Sequence, residues 1–239
     1  MNELMLDTAN LKELTYGLAN WPISGVTSNP SILKKEGEID IYERLQTIRT
    51  LCTNGRSLHI QVVSTTTEGI IAEAKTIISQ IGHDTFIKIP VSKGGLPAIK
   101  ALAKEGVNVT ATGIYTSMQG ILAVLAGAKY VAIYYNRMED NCTDADRVIK
   151  QIRSFIDESG SSAKILAASF KNIAEVVNAF ASGAHSATVS YSIINNALSL
   201  ASIDAAVARF TEDFEEIHGE GATMASILEK YGETLGRDF

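Results

Sequence analysis

A lysine stands in the middle of Thr85-Phe86-Ile87-Lys88-Ile89-Pro90, a run whose aromatic and β-branched residues otherwise describe a short buried strand. Lysine is rarely fully buried unless paired, so Lys88 must snorkel to solvent, meet a carboxylate, or sit in a pocket that lowers its pKa. Taken alone, the segment favours the first two readings, because strand lysines are mostly solvated or ion-paired. The third would supply a neutral amine, the nucleophile that attacks a carbonyl to form a carbinolamine and then an imine. Such chemistry needs a second group to move protons as water leaves and a carbon-carbon bond breaks. Whether Lys88 has that company depends on which polar residues the fold brings beside it.

Strand-like runs alternate with amphipathic helical runs along the chain, with no Pro-, Gly- or Ser-rich linker between halves. Strands are expected at residues 4–8, 25–28, 58–63, 85–90, 107–112, 130–135, 165–168 and 187–191. Each is followed by helical periodicity, as in Leu11, Leu14 and Leu18, or Tyr42, Leu45, Ile48 and Leu51. Helices are also expected over 66–80, where a Thr-Thr-Thr-Glu cluster suits capping, around Leu96, Ile99 and Leu102, and over 118–126, 144–157, 173–181 and 193–200. Eight strand-helix pairs imply a parallel sheet, and eight strands close a (β/α)8 TIM barrel. The open doubly wound sheet is the competitor, disfavoured because no Gly-rich phosphate loop follows the first strand. We therefore expect α/β architecture in a single domain of residues 1–239. Residues 203–239 add two helices that a barrel does not need, with Val207, Phe210 and Phe214, then Met224, Ile227, Leu228 and Tyr231. They either cover one end of the barrel or pack on a neighbouring subunit.

In a barrel of this kind the active site lies at the carboxyl ends of the strands. Asp7 ends the first expected strand, Thr27 and Asn29 the second, Gln61 lies within the third and Lys88 in the fourth. Thr112 ends the fifth, Tyr134, Asn136 and Arg137 the sixth, and Ser169 with Lys171 the seventh. Each has a structural alternative: Asp7 and Thr27 as helix caps, Asn29 in a turn before Pro30, Tyr134 as core with its hydroxyl satisfied. Together they are harder to explain so, since each unpaired inward polar group costs about 1–3 kcal/mol. Arg137, Ser169 and Lys171 add anion-binding capacity to the same rim, which suits a phosphorylated sugar.

A net charge of -6 and a pI near 5.3 disfavour a non-specific nucleic-acid binder, and Lys and Arg do not cluster. Cys52 and Cys142 lie far apart without CxxC spacing, so neither a disulfide framework nor a zinc site is expected. The N-terminus lacks a basic region before an apolar core, and the apolar stretch 121–135 is broken by Gly127 and Lys129, short of the roughly 20 residues that span a bilayer. A cytoplasmic protein with no membrane partner is the expectation.

Four segments resemble one family: Leu6-Asp7-Thr8, Gly25-Val26-Thr27-Ser28-Asn29-Pro30-Ser31, Ile87-Lys88-Ile89-Pro90 and Leu166-Ala167-Ala168-Ser169-Phe170-Lys171. They are similar to signatures of the small transaldolases and fructose-6-phosphate aldolases, over nearly the whole chain to about Phe214. The resemblance implies a class I mechanism with no cofactor or metal: Lys88 as the Schiff-base lysine and Asp7 as the carboxylate assisting carbon-carbon cleavage. Thr27 and Asn29 would bind the dihydroxyacetone part, and Ser169 and Arg137 the phosphate. It also implies a homo-oligomer, usually a decamer, whose last helices cross to a neighbouring subunit. Transaldolases of the group usually carry Glu and Phe where this chain has Gln61 and Tyr134, and the aldolases carry Gln and Tyr. The expected reaction is thus reversible cleavage of fructose 6-phosphate to dihydroxyacetone and glyceraldehyde 3-phosphate. The alternatives are transfer of the same three-carbon unit between sugar phosphates and a non-catalytic sugar-phosphate-binding barrel. The stretch Thr110 to Tyr115 follows the family only loosely, Ser28 stands where a second threonine is usual, and the tail from Gly219 is unmatched.

Overall fold

The computed structural model describes residues 2–235. Eight strands alternate with helices: β1 (Glu3–Asp7), α1 (Leu11–Asn20), β2 (Gly25–Thr27), α2 (Pro30–Lys35), α3 (Ile41–Leu51), β3 (Ser57–Gln61), α4 (Thr67–Ile81), β4 (Phe86–Pro90) and α5 (Gly95–Lys104). There follow β5 (Val109–Ile114), α6 (Ser117–Leu125), β6 (Tyr130–Tyr134), α7 (Tyr135–Asp140), α8 (Ala145–Ser159), β7 (Lys164–Ala168), α9 (Ile173–Ala181), β8 (Ser186–Val189), α10 (Tyr191–Leu198), α11 (Ala201–His218) and α12 (Met224–Leu235). Every neighbouring pair of strands is parallel, and β8 returns to β1, closing the barrel the alternation implies.

The period-2 alternation of the strands sorts side chains by chemistry. Outward positions such as Leu6, Val26, Leu58, Ile60, Ile87, Ile89, Val131 and Ile133 form one apolar layer with the helices. Inward, a smaller cluster of Met5, Tyr130, Ala132 and Leu166, with Phe86 against it, fills the lower barrel. Above it the interior is polar: Thr27, His59, Lys88, Thr110, Thr112, Ser186 and Thr188 are all buried. The N-terminal end is closed by Glu3, which accepts hydrogen bonds from the Tyr130 hydroxyl (2.7 Å) and the Lys164 ammonium. The strongest constraint on the strand carrying Lys88 is at Gly95, where a Cβ would stand 1.9 Å from the Pro90 carbonyl oxygen. Backbone cannot rotate away as a side chain can. Gly95→Ala is expected to lower stability by about 1–3 kcal/mol in chemical denaturation, as overpacking does.

Several boundaries differ from the sequence reading, and most differences fall at the barrel mouth. Two short helices were not expected: α2 begins at Pro30, whose fixed φ suits a first turn, and α7 begins directly after Tyr134. Asn136 and Arg137 therefore lie on α7 rather than at the end of β6. Asn29 ends no strand but caps α2, accepting from the Ile32 N–H at 3.0 Å. Strand β5 runs past Thr112 to Ile114 through a bulge, with Gly113 at φ 70°, a conformation glycine adopts without a Cβ penalty. Strand β3 stops at Gln61 and β8 at Val189, so Val63 and Tyr191 are not strand residues. Ser169 and Lys171 sit in the loop beyond β7. The Thr cluster does cap α4, through Thr66 and the Gly69 N–H at 3.2 Å.

The chain separates into two compact units, residues 1–194 and 195–239. In the second, α11 buries no residue, and Val207 and Phe210 are 56% and 68% exposed. The side chain of Tyr231 and residues 236–239 lie outside what is described.

Candidate active site

Lys88 projects into the barrel from the middle of β4 and is 3% exposed. Burial pushes its pKa below the ordinary lysine value, and the Asp7 carboxylate pushes back. Among the described residues the Lys88 amine makes no hydrogen bond or ion pair, and at 3% exposure the side chain does not snorkel, so neither of the two commonplace readings describes it. What remains is a buried amine at the lip of a polar chamber.

Asp7, the last residue of β1, is held from the side. The Thr27 hydroxyl donates to its Oδ1 at 2.6 Å and lies 2.6 Å from the Thr188 hydroxyl, tying β1, β2 and β8 together inside the barrel. Burial raises the Asp7 pKa, opposed by Lys88, by the Thr27 hydrogen bond and by Lys35. A carboxylate and an amine, each destabilised in its charged form by burial and each moderated by the other, have their pKa values drawn towards each other, which favours passing a proton between them. Thr27 thus caps no helix. Asn10 caps α1 instead, accepting from the Lys12 and Glu13 N–H groups.

Gln61 pairs in register with Lys88 across β3 and β4, and Thr110 and Thr112 follow on β5. The side-chain Oε1 of Gln61 is buried without a hydrogen-bond partner. An orphaned acceptor in a polar chamber is an anomaly that a substrate hydroxyl or water would relieve. On the far side the Thr112 hydroxyl donates to the Tyr134 phenol oxygen at 3.3 Å, and burial raises the pKa of that phenol, keeping it protonated. Tyr134 is only partly buried and so is not a sealed core residue.

The other expected residues are placed less centrally. Ser169 has φ 64°, costly for a serine, and its carbonyl accepts the Asn136 N–H at 3.2 Å, joining the β7 loop to α7. Arg137 lies over the Tyr134 ring, its guanidinium carbon 4.8 Å from the centroid. Lys171 points elsewhere: its amine pairs with Asp140 at 3.2 Å on the exposed rim. A cleft of about 270 Å3 reaches Asp7 between Thr8, Lys35, Ser190 and Ser192. A larger apolar groove of about 450 Å3, between α2, α3 and α4, touches the chamber only at Gln61. Among the described residues no three metal-ligating side chains cluster.

The chamber floor escaped the sequence reading. His59 is fully buried, its Nδ1 2.8 Å from the Thr110 hydroxyl and its Nε2 3.0 Å from Ser57, stacked 4.5 Å from the Phe86 ring. Burial and the neighbouring Lys88 push its pKa down to about 3, so it is a neutral floor and not an acid. Thr188 was missed as well. Two-residue alternation from Gln61 would have found His59, because inward positions of a strand share one face, whereas β8 carried no candidate from which Thr188 could be reached.

Comparison with known proteins identifies the family and the fold. The profile of the family described as Transaldolase/Fructose-6-phosphate aldolase matches residues 4–235, and so extends into the tail that the motifs left unmatched. A curated relative from Streptococcus pneumoniae (strain ATCC 700669 / Spain 23F-1), described as "Probable fructose-6-phosphate aldolase", is 50% identical over 212 residues, covering 89% of this chain and 96% of the relative. A solved structure described as "Native KDPGal structure" superposes with a TM-score of 0.55 at 12% identity, covering 78% of this chain and 80% of its own, a likeness of fold alone.

Proposed function

The chain belongs to the transaldolase/fructose-6-phosphate aldolase family, and on that premise we propose that it is a class I aldolase cleaving fructose 6-phosphate reversibly to dihydroxyacetone and glyceraldehyde 3-phosphate. The observation that carries the reading is the buried Lys88, without a hydrogen bond or ion pair among the described residues, interacting with Asp7 and in register with Gln61, while Tyr134 in turn feels the charge of Asp7. Lys88 Nζ attacks the C2 carbonyl of the ketose to give a carbinolamine, which loses water to leave an iminium. Asp7 takes the proton of the C4 hydroxyl as the C3–C4 bond breaks. The bonding pair flows to the iminium, leaving an enamine on Lys88 and releasing the aldehyde phosphate. Tyr134, with a water held by Gln61 and Thr112, protonates the enamine carbon, and hydrolysis of the resulting imine frees dihydroxyacetone and regenerates the amine. Thr27, which also fixes Asp7, and Asn29, at the N-terminus of α2, bind the dihydroxyacetone part, and Arg137 and Ser169 receive the phosphate.

Gln61 and Tyr134 favour lyase over transfer, since a phenol in the mouth can protonate the enamine and end the cycle without an acceptor. Fructose 6-phosphate supplied alone is expected to release free dihydroxyacetone, detected by an NADH-linked reductase. Turnover that appears only when erythrose 4-phosphate is added would make the protein a transaldolase, and binding without either reaction would make it a sugar-phosphate-binding barrel.

We further read residues 1–239 as one barrel domain with its C-terminal helices as an accessory. Ile203, Val207, Phe210 and Ile217 on α11 are each exposed, which supports packing of that helix on a neighbouring copy in a homo-oligomer, with a decamer as the family expectation. Among the described residues no helix is long and apolar enough to cross a membrane. We assign the protein to the cytoplasm, with a phosphorylated sugar as its partner and no nucleic acid or membrane.

A further inference from the structure

Arg137 is an exposed side chain on a short helix, yet it is held on two sides. Its guanidinium lies 4.8 Å over the Tyr134 ring, and its Nη1 donates to the Tyr115 hydroxyl at 3.3 Å. The Tyr115 and Tyr134 rings meet edge to face, 5.6 Å apart at 73°, so the three side chains form one stacked unit. Tyr115 is itself anchored. Its N–H donates to Gln119 Oε1 at 2.9 Å, the same oxygen that takes the Thr116 N–H at 3.1 Å in the capping box of α6. The bulge at Gly113 carries the chain to this position beyond the end of β5.

The charge arrangement gives this unit a direction. Both partners of Arg137 are aromatic, so its charge is left available, whereas the nearby Lys171 is already paired with Asp140. A long, exposed arginine ordinarily loses rotamer freedom when it grips an anion, and prior immobilisation removes that cost. We propose that Tyr115 is a positioning residue that holds Arg137 ready for the anionic end of the substrate, and thereby sets selectivity for phosphorylated over uncharged aldehydes. The inference rests on the reading of Arg137 as the phosphate-binding cation.

The test is aldol addition of dihydroxyacetone to glyceraldehyde 3-phosphate and to glyceraldehyde, in the wild type and in Tyr115→Phe, Arg137→Gln and the double variant. Tyr115→Phe keeps the ring and removes only the hydroxyl. It is expected to raise KM for the phosphorylated aldehyde by roughly fivefold, with KM for glyceraldehyde and both kcat values moving by less than about twofold, the pattern of lost uniform binding. On the Arg137→Gln background the same change should add nothing, because the hydroxyl acts through the guanidinium. Borohydride trapping of dihydroxyacetone on Lys88 reports that the site is assembled in each variant. No change in either KM, an equal rise in both, or loss of the adduct in Tyr115→Phe overturns the role of Tyr115. If Arg137→Gln itself leaves the preference for the phosphorylated aldehyde intact, the reading of Arg137 fails, and the inference with it.

Discussion

Lys88→Met is expected to abolish turnover while leaving the protein as stable as before, or more so. Deleting a covalent nucleophile costs several orders of magnitude, and kcat should fall by about 10⁴-fold or more. Stability should move the other way, because a buried lysine that has no hydrogen bond or ion pair among the described residues gives way to a thioether of similar length. Replacing buried charges by apolar groups is commonly neutral or stabilising, here by about 1–2 kcal/mol. The sign with pH follows from the lowered pKa. Between the folded value and the ordinary 10.5, the unfolded chain binds more protons at Lys88 than the folded chain, so wild-type stability rises with pH across that window. The advantage of Lys88→Met should therefore be largest at acid pH, where Asp7 is neutral in both proteins, and shrink as pH approaches 10.5. Thermal denaturation across that range measures it. A lysine retained only to pair with Asp7 would give the opposite result, with lost stability and unimpaired turnover.

Tyr134→Phe has the second largest expected effect, and it changes the kind of reaction. Among the described residues the phenol hydroxyl makes one hydrogen bond, to Thr112 at 3.3 Å, so its loss costs little stability. Without it the enamine on Lys88 has no nearby acid. Release of free dihydroxyacetone should fall by about 10²- to 10⁴-fold, the usual range for a positioned general acid. Transfer of the three-carbon unit from fructose 6-phosphate to erythrose 4-phosphate should persist, because bond cleavage depends on Asp7 and Lys88. Parallel assays of release and transfer separate the two. An equal loss of both activities would place Tyr134 in an earlier step.

Much of this site was legible in the sequence because the barrel makes one face of each strand polar. Lys88 stood out as a charge among Phe86, Ile87 and Ile89, and Asp7, Thr27 and Gln61 close their strands at comparable heights. Local irregularity hid the rest. The Gly113 bulge extends β5 beyond Thr112 and brings in Tyr115, which no two-residue alternation would have chosen. The first turn of α7 begins at Tyr135, so Arg137 comes from a helix rather than a strand end. Asn29 serves as a helix cap, and capping alone accounts for one of its polar atoms. His59 shares the inward face of β3 with Gln61, and the cross-barrel contact with Thr110, on a strand that is not its neighbour, ties it into the barrel interior. Lys171 shows the converse, since proximity along the chain to Ser169 suggested a shared site and the ion pair with Asp140 draws it to the rim.

The central claim is covalent, and one measurement addresses it directly. The protein is incubated with dihydroxyacetone, reduced with borohydride, digested and analysed by mass spectrometry, beside Lys88→Met treated identically. The account predicts one reduced dihydroxyacetone on the peptide containing Lys88 and none in the variant, with a trapping rate that rises with pH through an apparent pKa below 10.5. No adduct in the wild type, or an adduct that persists in the variant, would contradict it.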